Sequence, residues 1–480
     1  MFESLRRATL RAPAFTVIGT IATLLKGRAE IRRLARVSGT IGISTVASIA
    51  GQVVKTKVLS VTVGPSGLGL ISQAFQLQNT LTNIGGAPLG GMQNALNRRA
   101  NAARNEFFLV ADLGMRLLLW LFGAMALFLA LGASPIAAFV FSASAHRGWV
   151  YAVGLSLLSY AFGSLSEGIL IASGHIKLFT QCRVTTFVLI PAATVVGVFA
   201  SGIGGAIWGG SLGYAIGVAL TMARCFTAVG IPRFRRQSLL WDTAQWRSER
   251  RILGELALVS AATSITGFVS TVIPLVLRSR ILMLHGADQL GLYQATFSMG
   301  TALNPFVFNA VWAHFYPKIS VEKERAKLSH ATEECIKFCV LGLLPLHILL
   351  LLGARVLIPL GYSTRFMSIL PWLAWQMSAE TVGQAFSVIA MLLLGMNSLG
   401  LYAAIVTGQS LLFLSAGLWA CNVYGPPGVI YAQLVAGVIG VTVGVWVIDR
   451  LLGLKVDKSV LILTPGVIFC VLGIGWLVNR

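Results

Sequence analysis

The chain has 480 residues, of which 56% are hydrophobic and 11% charged, and its mean hydropathy is +0.80. A soluble domain carries about a quarter of its residues as charges, so a soluble fold is excluded, and apolar runs of about 20 residues indicate membrane helices rather than a barrel. The net charge of +21 would suggest nucleic acid in a soluble protein, but most Lys and Arg fall between apolar runs, which indicates cytoplasmic loops on anionic headgroups and no nucleic-acid partner.

Residues 1–37 form a basic segment with Arg6, Arg7, Arg11, Lys26, Arg28, Arg32, Arg33 and Arg36. Its apolar run, Ala12 to Leu25, is short for a span, so an interfacial helix on the cytoplasmic face is expected. The first lobe, 38–227, is read as six spans: Ser38–Val63, Leu70–Leu96, Phe107–Leu131, Gly148–Ser173, Ile176–Ala200 and Ile203–Phe226. A short glycine turn is expected at Gly64–Gly69, a kink at Gly85–Gly91, and a loop at Ser134–Arg147. Residues 228–251 read as a basic cytoplasmic linker bearing Trp241 and Trp246. The second lobe, 252–450, repeats the plan with spans Ile252–Leu284, Leu290–Tyr316, Cys335–Leu360, Met367–Leu394, Leu399–Cys421 and Gly428–Ile448. A further run within 459–478 is long enough to cross.

Loop charges set the orientation. With the N-terminus inside, the inner loops near Arg98, Lys177, Arg233, Lys323 and Arg450 are basic, and the short Met396 turn is the one inner connection that is not. The outer ones near Gly64, Ser134, Gly202, Gly286 and Gly425 are nearly uncharged, Arg355 and Arg365 being the exceptions.

The two halves share two patterns. Lys55-Thr56-Lys57 before Gly64-Pro65-Ser66-Gly67-Leu68-Gly69-Leu70 recurs as Arg278-Ser279-Arg280 before Gly286-Ala287-Asp288-Gln289-Leu290-Gly291-Leu292. Gly205-Ala206-Ile207-Trp208 recurs as Gly428-Val429-Ile430-Tyr431. Both offsets are close to half the chain, which argues for internal duplication. Six spans return the chain to its starting side, so the expected fold is all-α and polytopic. It has two six-helix bundles related by a pseudo-two-fold axis along the membrane normal, a site between them, and an extra C-terminal helix.

No nucleotide-binding, metalloprotease, hydrolase or EF-hand motif occurs, and the six cysteines show no metal spacing. Neither enzymatic chemistry nor a cofactor is expected; a gradient-driven transporter is the simplest reading. The informative residues are charges inside the spans, which are costly and functional by default. Lys55 lies roughly 13 Å inside the outer end of its span, and its direction differs from that of Lys57 by about 200°. One of each basic pair, Lys55 or Lys57 and Arg278 or Arg280, is therefore expected to line a cavity while its neighbour snorkels. Arg116 and Arg183 add to the intramembrane cations and are expected in the same cavity. A cationic aqueous cavity selects an anion, and phosphate suits arginine. Glu167 and Glu380 are the acids well inside spans four and ten, placed to neutralise cations or to carry protons for coupling.

The basic pair, the turn Gly64–Leu70, and the Gln73–Phe75 and Gln76-Leu77 that follow resemble the start of Wzx-type polysaccharide flippases. These belong to the multidrug/oligosaccharidyl-lipid/polysaccharide (MOP) exporter superfamily. The resemblance implies a two-lobed bacterial inner-membrane protein with a basic central cavity. Its implied cargo is undecaprenyl-diphosphate-linked oligosaccharide, an O-antigen or exopolysaccharide repeat unit, moved by alternating access. Membrane lipids, a polysaccharide polymerase and glycosyltransferases are its implied partners. The family's cavity cations correspond here to Lys55 or Lys57 and to Arg278 or Arg280. The competing readings are a lipid-linked peptidoglycan-precursor flippase, a cation-coupled multidrug exporter, and a membrane-embedded glycosyltransferase or polymerase. A drug exporter would want acids in its cavity. An enzyme would normally show a large outer loop or a carboxylate motif.

Overall fold

The computed structural model describes residues 48–99, 104–230, 246–305, 307, 311, 319, 322, 324–396, 398–455 and 459–479, with side chains left aside at 87–99, 104–110, 246–265, 459–464 and 479. The N-terminal segment 1–37 and most of the linker 228–251 lie outside these residues.

The described chain is helical. The elements are α1 (48–62), α2 (Gly64–Arg99), α3 (Arg104–Leu131), α4 (Ala133–Phe141), α5 (Arg147–Ala172), α6 (Ile176–Val229), α7 (Trp246–Thr301), α8 (Arg325–Gly361), α9 (Leu370–Gly395), α10 (Leu399–Tyr424), α11 (Pro426–Leu452) and α12 (Ser459–Asn479). Short 3-10 turns cover Ser144–His146 and Thr364–Ile369. Among the described residues, eight segments are long and apolar enough to cross a membrane. The protein is a multi-pass membrane protein.

Two of the long helices double back. α6 breaks at Ser201 (φ −150°) and Gly202 (φ 64°), and α7 at Gly286 (φ 83°). Glycine takes the left-handed conformation at little cost, so each break is a reversal between two membrane-crossing arms. The expected boundaries between spans five and six, and between seven and eight, fall at these breaks. The bundles are then α1, α2, α3, α5 and both arms of α6, and both arms of α7 with α8, α9, α10 and α11. This is the two-bundle plan expected from the duplication.

The hairpins at the ends of the two bundles are built alike. In α6, a Cβ on Gly205 would collide with the Gly197 carbonyl; at the α10–α11 turn, one on Gly428 would collide with the Ala420 carbonyl. Each pair is offset by 223 positions from its counterpart. Small residues bring the two helices of each hairpin into backbone contact, and apolar lipid tails supply no competing force.

Three local expectations are corrected. The stretch 64–69 is not a loop. Gly64 alone makes the turn (φ 66°), and α2 begins on it, because one left-handed glycine suffices and Pro65 is pre-set for a first helical turn. The Gly85–Gly91 stretch does not interrupt α2, which stays helical through Pro88. The loop at Ser134–Arg147 is mostly structured, as α4 plus a 3-10 turn, since Ala133, Ala137, Val140 and Phe141 bury against the bundle. The extra helix α12 packs on α8 and α9, where Gly475 meets Ala374 closely and Arg355 Nη2 donates to the Val478 carbonyl at 2.7 Å.

Candidate functional site

A cavity of about 470 Å³ lies between the bundles. The N-terminal bundle contributes Gln52, Lys55, Thr56, Ser72, Phe75, Gln76, Gln78, Asn79, Thr82, Tyr160 and Tyr214 to its wall; the C-terminal bundle contributes Arg278, Gln294, Phe297, Ser298 and Tyr362. Local sequence explains the polarity of the first wall. α2 carries Ser72, Gln76 and Asn79 at spacings of three and four, which places them on one helix face.

The two cations of the cavity are set alike. Lys55 is 8% exposed and its ammonium lies 4.7 Å from the Phe75 ring centre. Arg278 is 3% exposed and its guanidinium carbon lies 5.1 Å from the Phe297 centre and 5.9 Å from that of Tyr293. Phe75 and Phe297 are equivalent in the repeat, 222 positions apart in the matching runs that begin Gly69-Leu70 and Gly291-Leu292. An aryl face attracts a desolvated cation by about 2 kcal/mol, less than the cost of stripping its water. Among the described residues neither cation makes an ion pair, and Arg278 Nε is buried without a hydrogen-bond partner. Lys and Arg are almost never fully buried unless paired. Among the described residues, no Asp or Glu lines the cavity. Gln294 Oε1 also lacks a partner, while its Nε2 donates to Ser298 Oγ at 2.7 Å.

The other expected cations lie elsewhere. Lys57 points off the cavity and donates to the Pro359 and Tyr362 carbonyls, both at 2.6 Å. Arg280 donates through Nη2 to Asn422 Oδ1 at 3.1 Å. The helical twist explains both, since residues two apart face away from each other. Arg116 pairs with Asp112 one turn back on α3, so its charge is locally neutralised. Arg183 lies over the Phe179 and Phe187 rings at 5.5 and 5.4 Å, outside the cavity wall, because those residues sit one turn either side of it on α6. Placing Arg116 and Arg183 in the cavity is therefore corrected.

The two acids differ from each other. Glu167 on α5 is within electrostatic reach of Arg183. Glu380 on α9 is 6% exposed and, among the described residues, makes no ion pair. Its Oε1 accepts from Gln376 Nε2 at 2.7 Å and Gln433 Nε2 at 3.0 Å, and its Oε2 from Asn304 Nδ2 at 2.6 Å. Three neutral amides, Asn304 just beyond α7, Gln376 on α9 and Gln433 on α11, thus satisfy a buried carboxyl for which neutralising a cation or carrying a proton was expected. Gln376 and Gln433 were not among the residues expected from the sequence. The Gln376–Glu380 spacing of four inside an apolar helix was the available signal.

No family model matches the chain. It is 22% identical over 406 residues to the lipid III flippase of Escherichia coli (strain K12), covering 85% of the chain and 96% of the relative. The lipid III flippase of Shigella flexneri matches to the same extent. The fold is shared with the lipid II flippase MurJ in an inward closed conformation, with a TM-score of 0.67 and 13% identity over 92% of this chain and 96% of that one. It is shared equally with an inward-facing MATE multidrug transporter of the MOP superfamily, with a TM-score of 0.66 and 15% identity over 85% and 96%.

Proposed function

We propose that this protein is a flippase for undecaprenyl-diphosphate-linked oligosaccharide, an O-antigen or exopolysaccharide repeat unit, carried across the bacterial inner membrane by alternating access. One observation carries the reading: among the described residues, two buried cations without carboxylate partners, one from each bundle, enter a single cavity that has no acid in its wall. Such a cavity attracts a diphosphate and repels an organic cation. Arg278 offers an unpartnered Nε–H, and charge-assisted bonds to phosphate are about twice as strong as neutral ones. Around the cations, Gln52, Gln76, Gln78, Asn79, Gln294 and Ser298 supply donors and acceptors for sugar hydroxyls, and Tyr160 and Tyr214 supply aryl faces. The polyprenyl tail stays in lipid throughout. The likeness to proteins named lipid III flippase supports a lipid-linked cargo.

The fold shared with a lipid II flippase favours a second reading, a lipid-linked peptidoglycan precursor, which carries the same diphosphate. The MATE likeness favours a drug exporter, against which the acid-free wall weighs. Glu380 in its amide cage, with Glu167, is the proposed ion-coupling element; glycosyltransferases and a polysaccharide polymerase are the proposed partners.

The test is transport of lipid-diphosphate oligosaccharides into reconstituted vesicles, with peptidoglycan precursor and an organic-cation drug as competing cargoes. The expected result is movement of the oligosaccharide lipid, reduced at least about tenfold in Lys55→Ala or Arg278→Ala, equivalent to about 1.4 kcal/mol or more. Full transport by the double alanine variant removes the cavity from the mechanism.

A further inference from the structure

The cavity accounts for Lys55 and Arg278 and leaves Lys57 without a role. Its ammonium reaches across the bundle boundary. Pro359 and Tyr362, whose carbonyls it binds, close the outer end of α8, 302 and 305 positions away. The last carbonyls of a helix have no intrahelical partner and carry its partial negative charge, so one ammonium satisfies two exposed acceptors of the opposite bundle. Arg280 holds the corresponding place in the second half, but it stays within its own bundle on Asn422 of α10. The repeat symmetry is broken at this pair, and only the N-terminal copy ties the bundles together.

A second contact lies at the same end. Gly69 and Gly291, equivalent in the repeat, meet backbone to backbone. A Cβ on Gly69 would sit 2.6 Å from the Ala287 oxygen and 2.8 Å from the Gly291 nitrogen, and one on Gly291 would collide with the Pro65 carbonyl. At this crossing of α2 and the second arm of α7 no side chain fits unless the bundles part.

We infer that Lys57 is a latch on the outer side of the protein, and that the Gly69–Gly291 contact is the seat it holds shut. Opening the cavity outward requires the ammonium to leave both carbonyls and the two glycines to separate. Lys57 does not itself line the cavity and meets its wall only through the backbone carbonyl of Tyr362, so the latch acts on the equilibrium between closed and outward-open forms and not on the cargo. It holds for any cargo moved by alternating access.

The experiment is a distance measurement by double electron–electron resonance on the full-length protein in vesicles without cargo. Spin labels go on Thr62→Cys and Asp288→Cys, which are exposed at the outer ends of opposite bundles, with the exposed Cys470 replaced by Ser. The parent is expected to give mainly the short distance. Lys57→Met should transfer population to a longer one, and Lys57→Arg, which keeps donors for both carbonyls, should restore the short one. Gly69→Val should lengthen the distance even with Lys57 present. A Lys57→Met distribution superimposable on the parent's overturns the latch, and it decides alone if Gly69→Val does not accumulate. Transport measured on the same vesicles separates the two ideas: shifted distances without movement of oligosaccharide lipid leave the latch standing and sink the cargo assignment.

Discussion

Arg278 is costly where it stands. A guanidinium at mid-membrane costs about 3 kcal/mol on insertion scales, and no carboxylate among the described residues pairs with it to offset that cost. Removing one partner of a buried ion pair destabilises a protein because it strands the other charge; Arg278 has no such partner to strand. Arg278→Met should therefore leave the melting temperature unchanged or raise it, while lowering the affinity for a lipid diphosphate at least about tenfold. Thermal unfolding and a binding titration on the same detergent sample check both halves. A large fall in melting temperature would mark the arginine as a structural group. Glu380 makes the opposite case. Its two oxygens accept three amide donors, so Glu380→Gln turns an N–H toward at least one of them and should cost about 1–3 kcal/mol. If Glu380 carries the coupling proton, the same substitution also flattens the pH dependence of transport in vesicles; an unchanged profile rejects that role. Glu167→Gln is judged by the same profile.

Helix pairs in this protein are closed by the absence of side chains. The hairpin of α6 depends on Gly197 and Gly205, and the α10–α11 hairpin on Ala420 and Gly428. Gly205→Ala and Gly428→Ala should each destabilise by about 1–3 kcal/mol through overpacking, seen as a lower melting temperature with wild-type cargo binding in the protein that remains folded. The two effects should be similar because the contacts are equivalent. α12 behaves differently: Arg355 caps its last turn from an exposed position, so Arg355→Ala should cost no more than about 1 kcal/mol and leave transport intact, since none of the described side chains of α8 or α12 lines the cavity. Span positions were legible in the sequence because hydropathy reports burial in lipid directly. The misread stretch 64–69 was not, because glycine density alone does not say which glycine turns and which merely packs. Gly64 turns with positive φ, while Gly69 sits inside α2 to let α7 approach.

At the scale of the whole molecule, the duplicated halves bring one cation each to a shared cavity. The sign of that cavity is the property most open to test. Lys55→Glu with Arg278→Glu should abolish oligosaccharide transport while abundance and membrane insertion stay normal, because both residues are already paid for by burial without partners; quantitative blotting beside the vesicle assay reads both. Retained transport would show that cavity charge is irrelevant. Lys57, two residues from Lys55, belongs to a different function, holding the bundles together at the outer side.

Composition, hydropathy and loop charge determined by themselves a helical membrane protein, and the offset between the basic motifs determined its two-fold plan, because these follow from solvation and from duplication of the chain. Which lysine and which arginine face the cavity, that Phe75 and Phe297 lie beneath them, that Arg116 is locked to Asp112, and that amides rather than cations surround Glu380 were decided by tertiary structure alone. The reason is geometric: helical pitch says that neighbours two apart diverge, but only the packing of one bundle on the other says which direction is inward.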